Sequence, residues 1–219
     1  MAENRTRQIF IVEDHPIFRR GLADLIDQEA DLNVCGTAQS VPGALDSISR
    51  VAPDLVILDL GLKGGSGMDL IQALHSHQPA LPVLVLSSYD EQVYAERCLE
   101  AGARGYINKK EAADLVIEAI AEIFMGNVFL SRKMTAVILN KLKAGSAAGA
   151  SPVKNLTNRE LEIFILIGKG RVPGAIADEL HISAKTVYSH TERIKEKLEI
   201  RHSCELVRFA ALWVEREKP

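Results

Sequence analysis

The chain has 219 residues, of which 47% are hydrophobic and 25% are charged, and its formal net charge is −3. This composition is typical of globular proteins and excludes collagen-like, coiled-coil and wholly disordered chains, while the length predicts one large domain or two small ones. Residues 1–125 carry 10 Lys and Arg against 19 Asp and Glu, whereas residues 126–219 carry 16 against 10, which indicates an acidic domain followed by a basic one.

The N-terminus and the cysteines predict a cytoplasmic protein. The first residues, MAENRTRQ, are polar and lack the apolar segment of a secretory signal. No apolar run approaches the ~18–20 residues that span a bilayer, so we expect no membrane partner. Cys35, Cys98 and Cys204 are far apart and form no CxxC pair, which favours a reducing compartment.

Short apolar runs alternate with helix-period segments along the first half. Most of the runs are nearly continuous Val, Ile, Leu or Phe, which predicts parallel strands buried on both faces. The predicted strands cover residues 8–12, 32–36, 55–58, 83–86 and 105–107, and the predicted helices start at Pro16 and then cover 41–51, 66–77, 90–101 and 111–125. Five strands alternating with helices predict a doubly wound α/β domain.

The strand signal stops after Gly126, and the remaining pattern is helical. Ser131 is a suitable N-cap for a helix that runs to about Lys143. Residues 144–155, AGSAAGASPVKN, have the composition of a flexible linker. Thr157 and Glu160 fit a capping box at the start of the next helix. We therefore predict a first domain at 1–125, a linker segment containing one helix at 126–155, and a small all-α domain at 156–219.

Acidic residues follow two of the predicted strands. Glu13 and Asp14 end the first strand and Asp59 ends the third. In the flavodoxin-like strand order 2-1-3-4-5, these two strands are neighbours at the edge where ligands bind. Three converging carboxylates repel one another unless a cation neutralises them, and hard oxygen ligands favour Mg²⁺. Ser87 ends the fourth strand and Lys109 follows the fifth, which brings a hydroxyl group and a positive charge to the same edge.

These five residues form the set that a phosphoryl-accepting carboxylate needs. Asp59 would attack phosphorus and form an aspartyl phosphate, while Mg²⁺ and Lys109 would neutralise charge on the equatorial oxygens. Asp14 would hold the metal directly, and Glu13 directly or through water. The acidic pair alone is often only part of a solvated loop or a helix N-cap, and a single Asp after an apolar strand is equally common, so the prediction depends on all five residues occurring together at strand ends.

Four stretches of the first half match a known pattern: IFIVEDHPIFRRGL, PDLVILDLGLKGGSGMDL, PVLVLSSYDE and AGARGYINKKEA. Across residues 9–125 they resemble the receiver domain of response regulators. The resemblance implies that Asp59 is the phosphoacceptor, that the Gly61 backbone carbonyl binds Mg²⁺, and that Ser87 and Tyr106 form a switch pair. The family often has Pro four residues after the phosphoacceptor, whereas this chain has Lys63, which predicts a more mobile loop.

Residues 175–198 predict two helices joined by a tight turn, with Ser183 as the N-cap of the second helix. Val187, Ile194 and Leu198 mark the buried stripe of that helix, and polar residues occupy the opposite face. A helix presented in this way fits the major groove of B-DNA. Amphipathic helix pairs are also common in all-α domains with no nucleic-acid partner, so the pattern alone leaves both interpretations open.

Residues 156–200 read LTNRELEIFILIGKGRVPGAIADELHISAKTVYSHTERIKEKLEI and resemble a LuxR-type helix-turn-helix domain. The whole chain thus resembles a NarL/FixJ-type response regulator, with a CheY-like receiver followed by a small DNA-binding domain. The resemblance implies a sensor histidine kinase as phosphoryl donor, a double-stranded DNA operator, and a homodimer formed through the last helix. The predicted DNA contacts are Ser183, Lys185, Thr186, Tyr188, Ser189, Glu192 and Arg193.

The predicted contact surface departs from the family pattern. The residue after Val187 is commonly Lys in the family and is Tyr188 here, and Glu192 occupies a position where basic residues also occur. Fewer positive charges predict weak non-specific binding with a shallow salt dependence, and an affinity that depends on dimerisation.

Two other functions stay open on the sequence. A phosphohydrolase with an aspartyl nucleophile usually carries a second acid two residues later, and that position is Gly61 here. A DNA-binding regulator that works without phosphorylation is the other alternative, although such a protein would have no reason to keep the acidic set. We predict no enzymatic activity beyond self-phosphorylation and autodephosphorylation at Asp59.

Overall fold

A computed structural model describes residues 5–62, 65–144 and 152–216. The chain folds into two compact units, Met1–Asn140 and Lys141–Pro219. Lys63, where the sequence departs from the family pattern, and residues 145–151 of the predicted linker lie outside the described residues. Across the described parts of the chain, every helix is too short or too polar to cross a membrane.

The first unit is a five-stranded parallel sheet with flanking helices. The strands are β1 (Arg7–Val12), β2 (Leu32–Ala38), β3 (Leu55–Leu58), β4 (Val83–Ser87) and β5 (Gly105–Asn108). The helices are α1 (Pro16–Ile26), α2 (Val41–Val51), α3 (Gly67–His77), α4 (Glu91–Glu100) and α5 (Ala112–Phe124). The strand order is β2-β1-β3-β4-β5 and every neighbouring pair is parallel, which confirms the predicted doubly wound, flavodoxin-like fold.

The strands form where the apolar runs predicted them. Every residue of β3 and of β4 is buried, as expected for central strands covered on both faces. β2 extends to Ala38, beyond its predicted end, and its pairing with β1 shifts register between Ile9 and Phe10. A Cβ atom at Gly36 would lie 2.7 Å from Cε2 of Phe10, so glycine leaves room for the ring at this irregularity.

The chain that follows α5 packs against β5. The backbone N–H of Tyr106 donates to the Phe129 carbonyl at 3.0 Å, and Phe129 donates in turn to the Arg104 carbonyl at 3.0 Å. A further helix, α6 (Arg132–Ala144), begins after Ser131. The backbone N–H and the hydroxyl of Ser131 both donate to the Glu91 carboxylate, at 3.0 and 2.5 Å, which joins the start of α6 to the start of α4.

The second unit is helical in its described residues, and a short 3₁₀ turn, Pro152–Asn155, precedes its helices. Those helices are α7 (Asn158–Gly168), α8 (Pro173–Glu179), α9 (Ala184–Lys197) and α10 (Ser203–Arg216). The capping box is present, because the Thr157 hydroxyl accepts from the Glu160 N–H and the Glu160 carboxylate accepts from the Thr157 N–H. α8 begins two residues earlier than predicted, since Pro173 suits the first helical turn.

α7 and α10 approach closely and form the centre of this unit. A Cβ atom at Gly168 would lie 2.5 Å from the Ala210 backbone oxygen. Phe164 is fully buried and packs against Phe209 and edge-on against Trp213, with ring centroids 5.8 and 5.6 Å away. The single tryptophan of the chain therefore packs inside its own unit.

Candidate functional site

The acidic site, comprising Glu13, Asp14 and Asp59, lies at the carboxyl edge of the sheet. Glu13 and Asp14 directly follow β1, and Asp59 directly follows β3. β1 and β3 are hydrogen-bonded neighbours, so both ends open onto the same side of the sheet. All three side chains are buried, and together with His15 they offer ligand atoms that lie within 4.8 Å of one another. The structure thus brings the three predicted carboxylates together.

Lys109 lies among these carboxylates. It directly follows β5, and its Nζ lies 2.6 Å from Oε2 of Glu13 and 2.7 Å from Oδ2 of Asp59. The Phe18 ring covers the ammonium group at 4.7 Å from the ring centroid, which adds a cation–π contact. The Lys109 side chain is only 12% exposed, so water screens this charge weakly. One lysine thereby faces two carboxylates at ion-pair distance.

Burial dominates the electrostatics of Asp59. Loss of hydration raises the pKa of this carboxyl group, while Lys109 and a backbone hydrogen bond from Gly61 act in the opposite direction. The net rise in pKa means that burial disfavours the charged carboxylate more than Lys109 and the Gly61 N–H stabilise it. Carboxylate oxygens are the ligands that Mg²⁺ prefers, so the donor set fits a hard divalent cation at this position.

His15, which directly follows the acidic pair along the chain, contacts the acidic site. It is the N-cap residue of α1, and its Nδ1 lies 3.0 Å from Oε1 of Glu13 and 2.9 Å from Oδ1 of Asp14. The sequence shows only that His15 follows the acidic pair, and it does not determine the rotamer that directs the ring toward the carboxylates. Its side chain is 64% exposed, so it borders the site on the solvent side.

Both residues of the predicted switch pair, Ser87 and Tyr106, form hydrogen bonds with the backbone of Tyr89. Ser87 is buried at the end of β4, and its hydroxyl accepts from the Tyr89 N–H at 3.2 Å. The Tyr106 ring points inward with 1% exposure, and its hydroxyl donates to the Tyr89 carbonyl at 2.9 Å. Desolvation raises the pKa of Tyr106, so the phenol stays protonated and acts as a donor. The sequence pattern does not single out Tyr89, although its backbone contacts both members of the pair.

Gly67 allows α3 to start against the acidic site. A Cβ atom at this position would lie 2.5 Å from the Asp59 backbone oxygen and 2.7 Å from the Leu60 Cα. Both neighbours are backbone atoms and cannot turn aside. Gly61, the predicted carbonyl ligand, lies beside Asp59, since a Cβ atom there would come within 3.6 Å of Asp59 Oδ2.

The second predicted site lies on α9 and the turn before it. Val187 and Ile194 are fully buried, which fixes the rotation of the helix against its own unit. Ser183 is the N-cap, with its Oγ accepting from the Thr186 N–H at 3.0 Å and lying 2.8 Å from the Thr186 hydroxyl. Ser183 is exposed at the N-cap, and five further predicted contacts are exposed along the helix and form what we term the reading face: Lys185, Tyr188, Ser189, Glu192 and Arg193.

α9 is tied to the rest of its unit at its carboxyl end. Lys197 Nζ lies 2.6 Å from Oε2 of Glu160, the buried glutamate of the capping box on α7. His190 is half-buried, and desolvation lowers the pKa of its ring, which favours the neutral imidazole. The Lys197–Glu160 ion pair links α9 to α7, while the reading face stays on the surface.

Comparison with known families matches both units. Residues 9–121 match the response regulator receiver domain, and residues 154–210 match the bacterial regulatory proteins of the luxR family. The transcriptional activator protein ExaE of Pseudomonas putida is 33% identical over 202 residues, which cover 92% of this chain and 94% of ExaE. The DNA-binding transcriptional activator DevR/DosR of Mycobacterium tuberculosis is 32% identical over 203 residues, covering 93% of each chain.

Solved structures agree on the fold. RcsB from Salmonella enterica serovar Typhimurium, bound to promoter rprA in the presence of the phosphomimetic BeF3⁻, aligns with a TM-score of 0.61 at 22% identity, covering 94% of this chain and 99% of RcsB. A LuxR-family two-component response regulator from Aurantimonas sp. SI85-9A1 aligns with a TM-score of 0.58 at 28% identity, covering 62% of this chain and 96% of that protein. The RcsB match concerns the architecture alone.

Proposed function

Since the chain belongs to the response regulators that join a receiver domain to a LuxR-type DNA-binding domain, we propose that phosphorylation of Asp59 controls its binding to operator DNA. The family consists of transcription regulators rather than enzymes that turn over a substrate. In this proposal a sensor histidine kinase donates the phosphoryl group, a homodimer binds double-stranded DNA, and the protein works in the cytoplasm. The proposed division is a receiver at 1–125, a linker segment at 126–155 and a DNA-binding domain at 156–219.

The observation that carries the proposal is the position of Lys109. Its ammonium group lies 2.7 Å from Oδ2 of Asp59, so it adjoins the carboxylate that would take up the phosphoryl group. An Asp59 oxygen attacks phosphorus, the bond from phosphorus to the kinase histidine nitrogen breaks, and an aspartyl phosphate forms. The phosphoryl group adds nearly two negative charges, and Lys109 is placed to neutralise part of that charge.

The acidic site has the donors for Mg²⁺, which when bound would neutralise the phosphoryl oxygens in the transition state. Glu13, Asp14 and Asp59 would hold it through carboxylate oxygens, with the Gly61 carbonyl as a further ligand. In autodephosphorylation, a water oxygen would attack phosphorus, the Asp59 carboxylate would leave, and inorganic phosphate would be released. Gly61 stands where a phosphohydrolase would carry its second acid, which favours a slow loss of the phosphoryl group over turnover.

Ser87 and Tyr106 are proposed to carry the response away from the phosphoryl group. The Ser87 hydroxyl would donate to a phosphoryl oxygen and give up its bond from the Tyr89 N–H. The Tyr106 hydroxyl already bonds to the Tyr89 carbonyl, so a shift of this loop alters the anchor of the buried ring. A ligand shifts such an equilibrium only by interacting differently with the two arrangements.

Intact mass spectrometry tests the phosphoacceptor directly. Wild type, Asp59→Asn and Asp114→Asn are treated with acetyl phosphate and Mg²⁺, and then passed through size exclusion. Asp114 is exposed in the first turn of α5, so it controls for the loss of one carboxylate. We expect one added phosphoryl group and a shift toward dimer in wild type and Asp114→Asn, and neither in Asp59→Asn.

DNA binding of the same samples separates the alternatives. If Asp59→Asn still gains mass, the acceptor is another residue and the assignment of Asp59 is wrong. If none of the proteins gains mass from acetyl phosphate or from a histidine kinase, yet wild type binds a defined DNA sequence, the regulator works without phosphorylation. Continuous release of phosphate from phosphomonoesters would instead indicate a hydrolase.

A further inference from the structure

The reading face carries a carboxylate where a DNA-reading helix commonly carries donors. Tyr188 is 58% exposed and Glu192 lies one helical turn further along the same side. The Glu192 side chain is 65% exposed. Because Val187 and Ile194 are fully buried beneath the helix, α9 cannot rotate to hide Glu192 without exposing its apolar stripe.

Glu192 is held in place by a neighbour that is itself mostly buried. Lys195 Nζ lies 2.9 Å from Oε2 of Glu192, and the Lys195 side chain is only 14% exposed. The lysine therefore contacts the carboxylate from the protein side rather than from the DNA side. This contact restricts the Glu192 rotamers and offsets part of its charge, which reduces the repulsion that a free carboxylate would meet among phosphates.

Two basic residues of the reading face flank this carboxylate. Arg193 adjoins Glu192, and Lys185 lies in the first turn of α9, and both are exposed. They are available for phosphate contacts on either side, which position a protein but carry no sequence information. The negative charge of Glu192 disfavours a phosphate contact, so a base edge is the part of the duplex that this exposed carboxylate suits.

The chemistry of a carboxylate limits what it can read in the major groove. An ionised carboxylate accepts hydrogen bonds and donates none. Guanine presents two acceptors in the groove and thymine one, so both oppose a carboxylate. The adenine amino donor lies between two acceptors, its own N7 and the O4 of the paired thymine, whereas the cytosine N4 donor has an acceptor on one side only, the O6 of the paired guanine. Cytosine is therefore the base that Glu192 accepts best.

We propose that Glu192 makes this regulator require cytosine at one fixed position in each operator half-site. The inference rests on the proposed DNA binding and adds the base that the reading face selects. The family commonly has a lysine one turn before Glu192, and this chain has Tyr188 there. No second cation therefore competes with Lys195 for the Glu192 carboxylate from that position. The expected discrimination against the other bases is about fivefold or more in affinity.

Selection from a duplex DNA library with a randomised central segment tests the proposal. The full-length protein is used, with and without acetyl phosphate treatment, as wild type, Glu192→Gln, Glu192→Ala and Glu199→Gln. A glutamine amide both donates and accepts, which matches adenine. Glu199 is exposed two residues after α9 ends, so Glu199→Gln makes the same charge change away from the reading face.

We expect wild type and Glu199→Gln to select one motif with cytosine at a fixed position in each half-site. Glu192→Gln should select the same motif with adenine at that position, and Glu192→Ala should lose the preference there alone. A wild-type motif that stays unchanged in Glu192→Gln would overturn this inference while leaving the proposed DNA binding intact. Failure of wild type to select any sequence would overturn both.

Discussion

The acidic site and the reading face differ in what holds their side chains in place. Glu13 and Asp59 are almost completely buried and share one lysine, so each depends on the others for its charge balance. On the reading face Tyr188 and Glu192 are mostly exposed, and folding requires only that the opposite side of α9 stays apolar. The chemistry of the first site is therefore coupled to the stability of its unit, whereas the second can change its residues with little effect on folding.

The largest effect is expected from removing the lysine of the acidic site. In Lys109→Met the buried carboxylates lose the cation that lies 2.6 and 2.7 Å from two of them. Removing one partner of a buried ion pair typically costs about 3–5 kcal/mol, so we expect a loss in this range in the free energy of unfolding. Urea unfolding at neutral pH in EDTA measures it, and added Mg²⁺ should restore part of the loss.

The neighbouring exposed residue supplies the control for that measurement. Lys110→Met removes the same charge one position away, on the surface. We expect Lys110→Met to change the unfolding free energy by less than about 0.5 kcal/mol, as surface substitutions usually do. An equal loss of unfolding free energy in both variants would show that Lys109 does not stabilise the acidic site. It would also contradict the view that the chemistry of this site, unlike that of the reading face, is coupled to stability.

A pair of glycine substitutions tests how tightly the acidic site is packed. In Gly67→Ala the new Cβ atom would lie 2.5 Å from the Asp59 backbone oxygen, and overpacking of this kind costs about 1–3 kcal/mol. In Gly21→Ala the Cβ atom meets nothing within 4 Å on α1, so the change should stabilise the protein by about 0.5–1 kcal/mol. Thermal unfolding followed by circular dichroism should give opposite signs, and equal signs would contradict the packing argument.

The burial of Asp59 should make the free energy of unfolding depend on pH. We expect Asp59→Asn to change this free energy by less than Lys109→Met does, and to increase it rather than decrease it. Burial raises the pKa of Asp59 in the folded protein above its ordinary value of 3.8. The folded state then binds the proton more tightly than the unfolded state, so stability falls as the pH rises through this interval. Asp59→Asn should be more stable than wild type at neutral pH without divalent cations and should lose that advantage below pH 3.8.

Unfolding free energies across a pH series measure this difference. The Asp114→Asn variant makes the same substitution at an exposed carboxylate and serves as the control. An advantage of Asp59→Asn that grows toward acid pH would have the wrong sign and would contradict the burial argument.

The smallest effect is expected on the reading face. Tyr188→Lys adds a phosphate contact at an exposed position, so the slope of log affinity against log salt should steepen by about 0.9. Fluorescence anisotropy on a non-specific duplex measures the slope, and unfolding should be unchanged. Met125→Lys adds the same charge at a 66% exposed position of the first unit and should leave the slope unaltered.

The features that could be predicted from the sequence are those fixed by burial. β3 and β4 are continuous apolar runs because both of their faces are covered, and the acidic residues that follow β1 and β3 meet because parallel strands end at one edge. The exposed stripe of α9 follows from helical periodicity in the same way.

The features that could not be predicted depend on rotamers and loop paths. Nothing in the sequence states that the His15 ring turns toward Glu13 and Asp14, or that Ser87 and Tyr106 both bond to Tyr89. The pairing of Glu192 with Lys195 is equally a choice of rotamers on one helix. Helical spacing allows several such pairs and does not select among them.

The segment around Phe129 protects an otherwise open border of the sheet. β5 is the last strand in the order, and Phe129 satisfies the N–H of Tyr106 and the carbonyl of Arg104 on its outer side. Unpaired groups along a sheet border invite another chain to add a strand, which leads to aggregation or swapped dimers. The Glu91–Ser131 bonds hold this cover in place, so a shortened protein that ends after α5 should self-associate, whereas one that retains Ser131 and α6 should stay monodisperse.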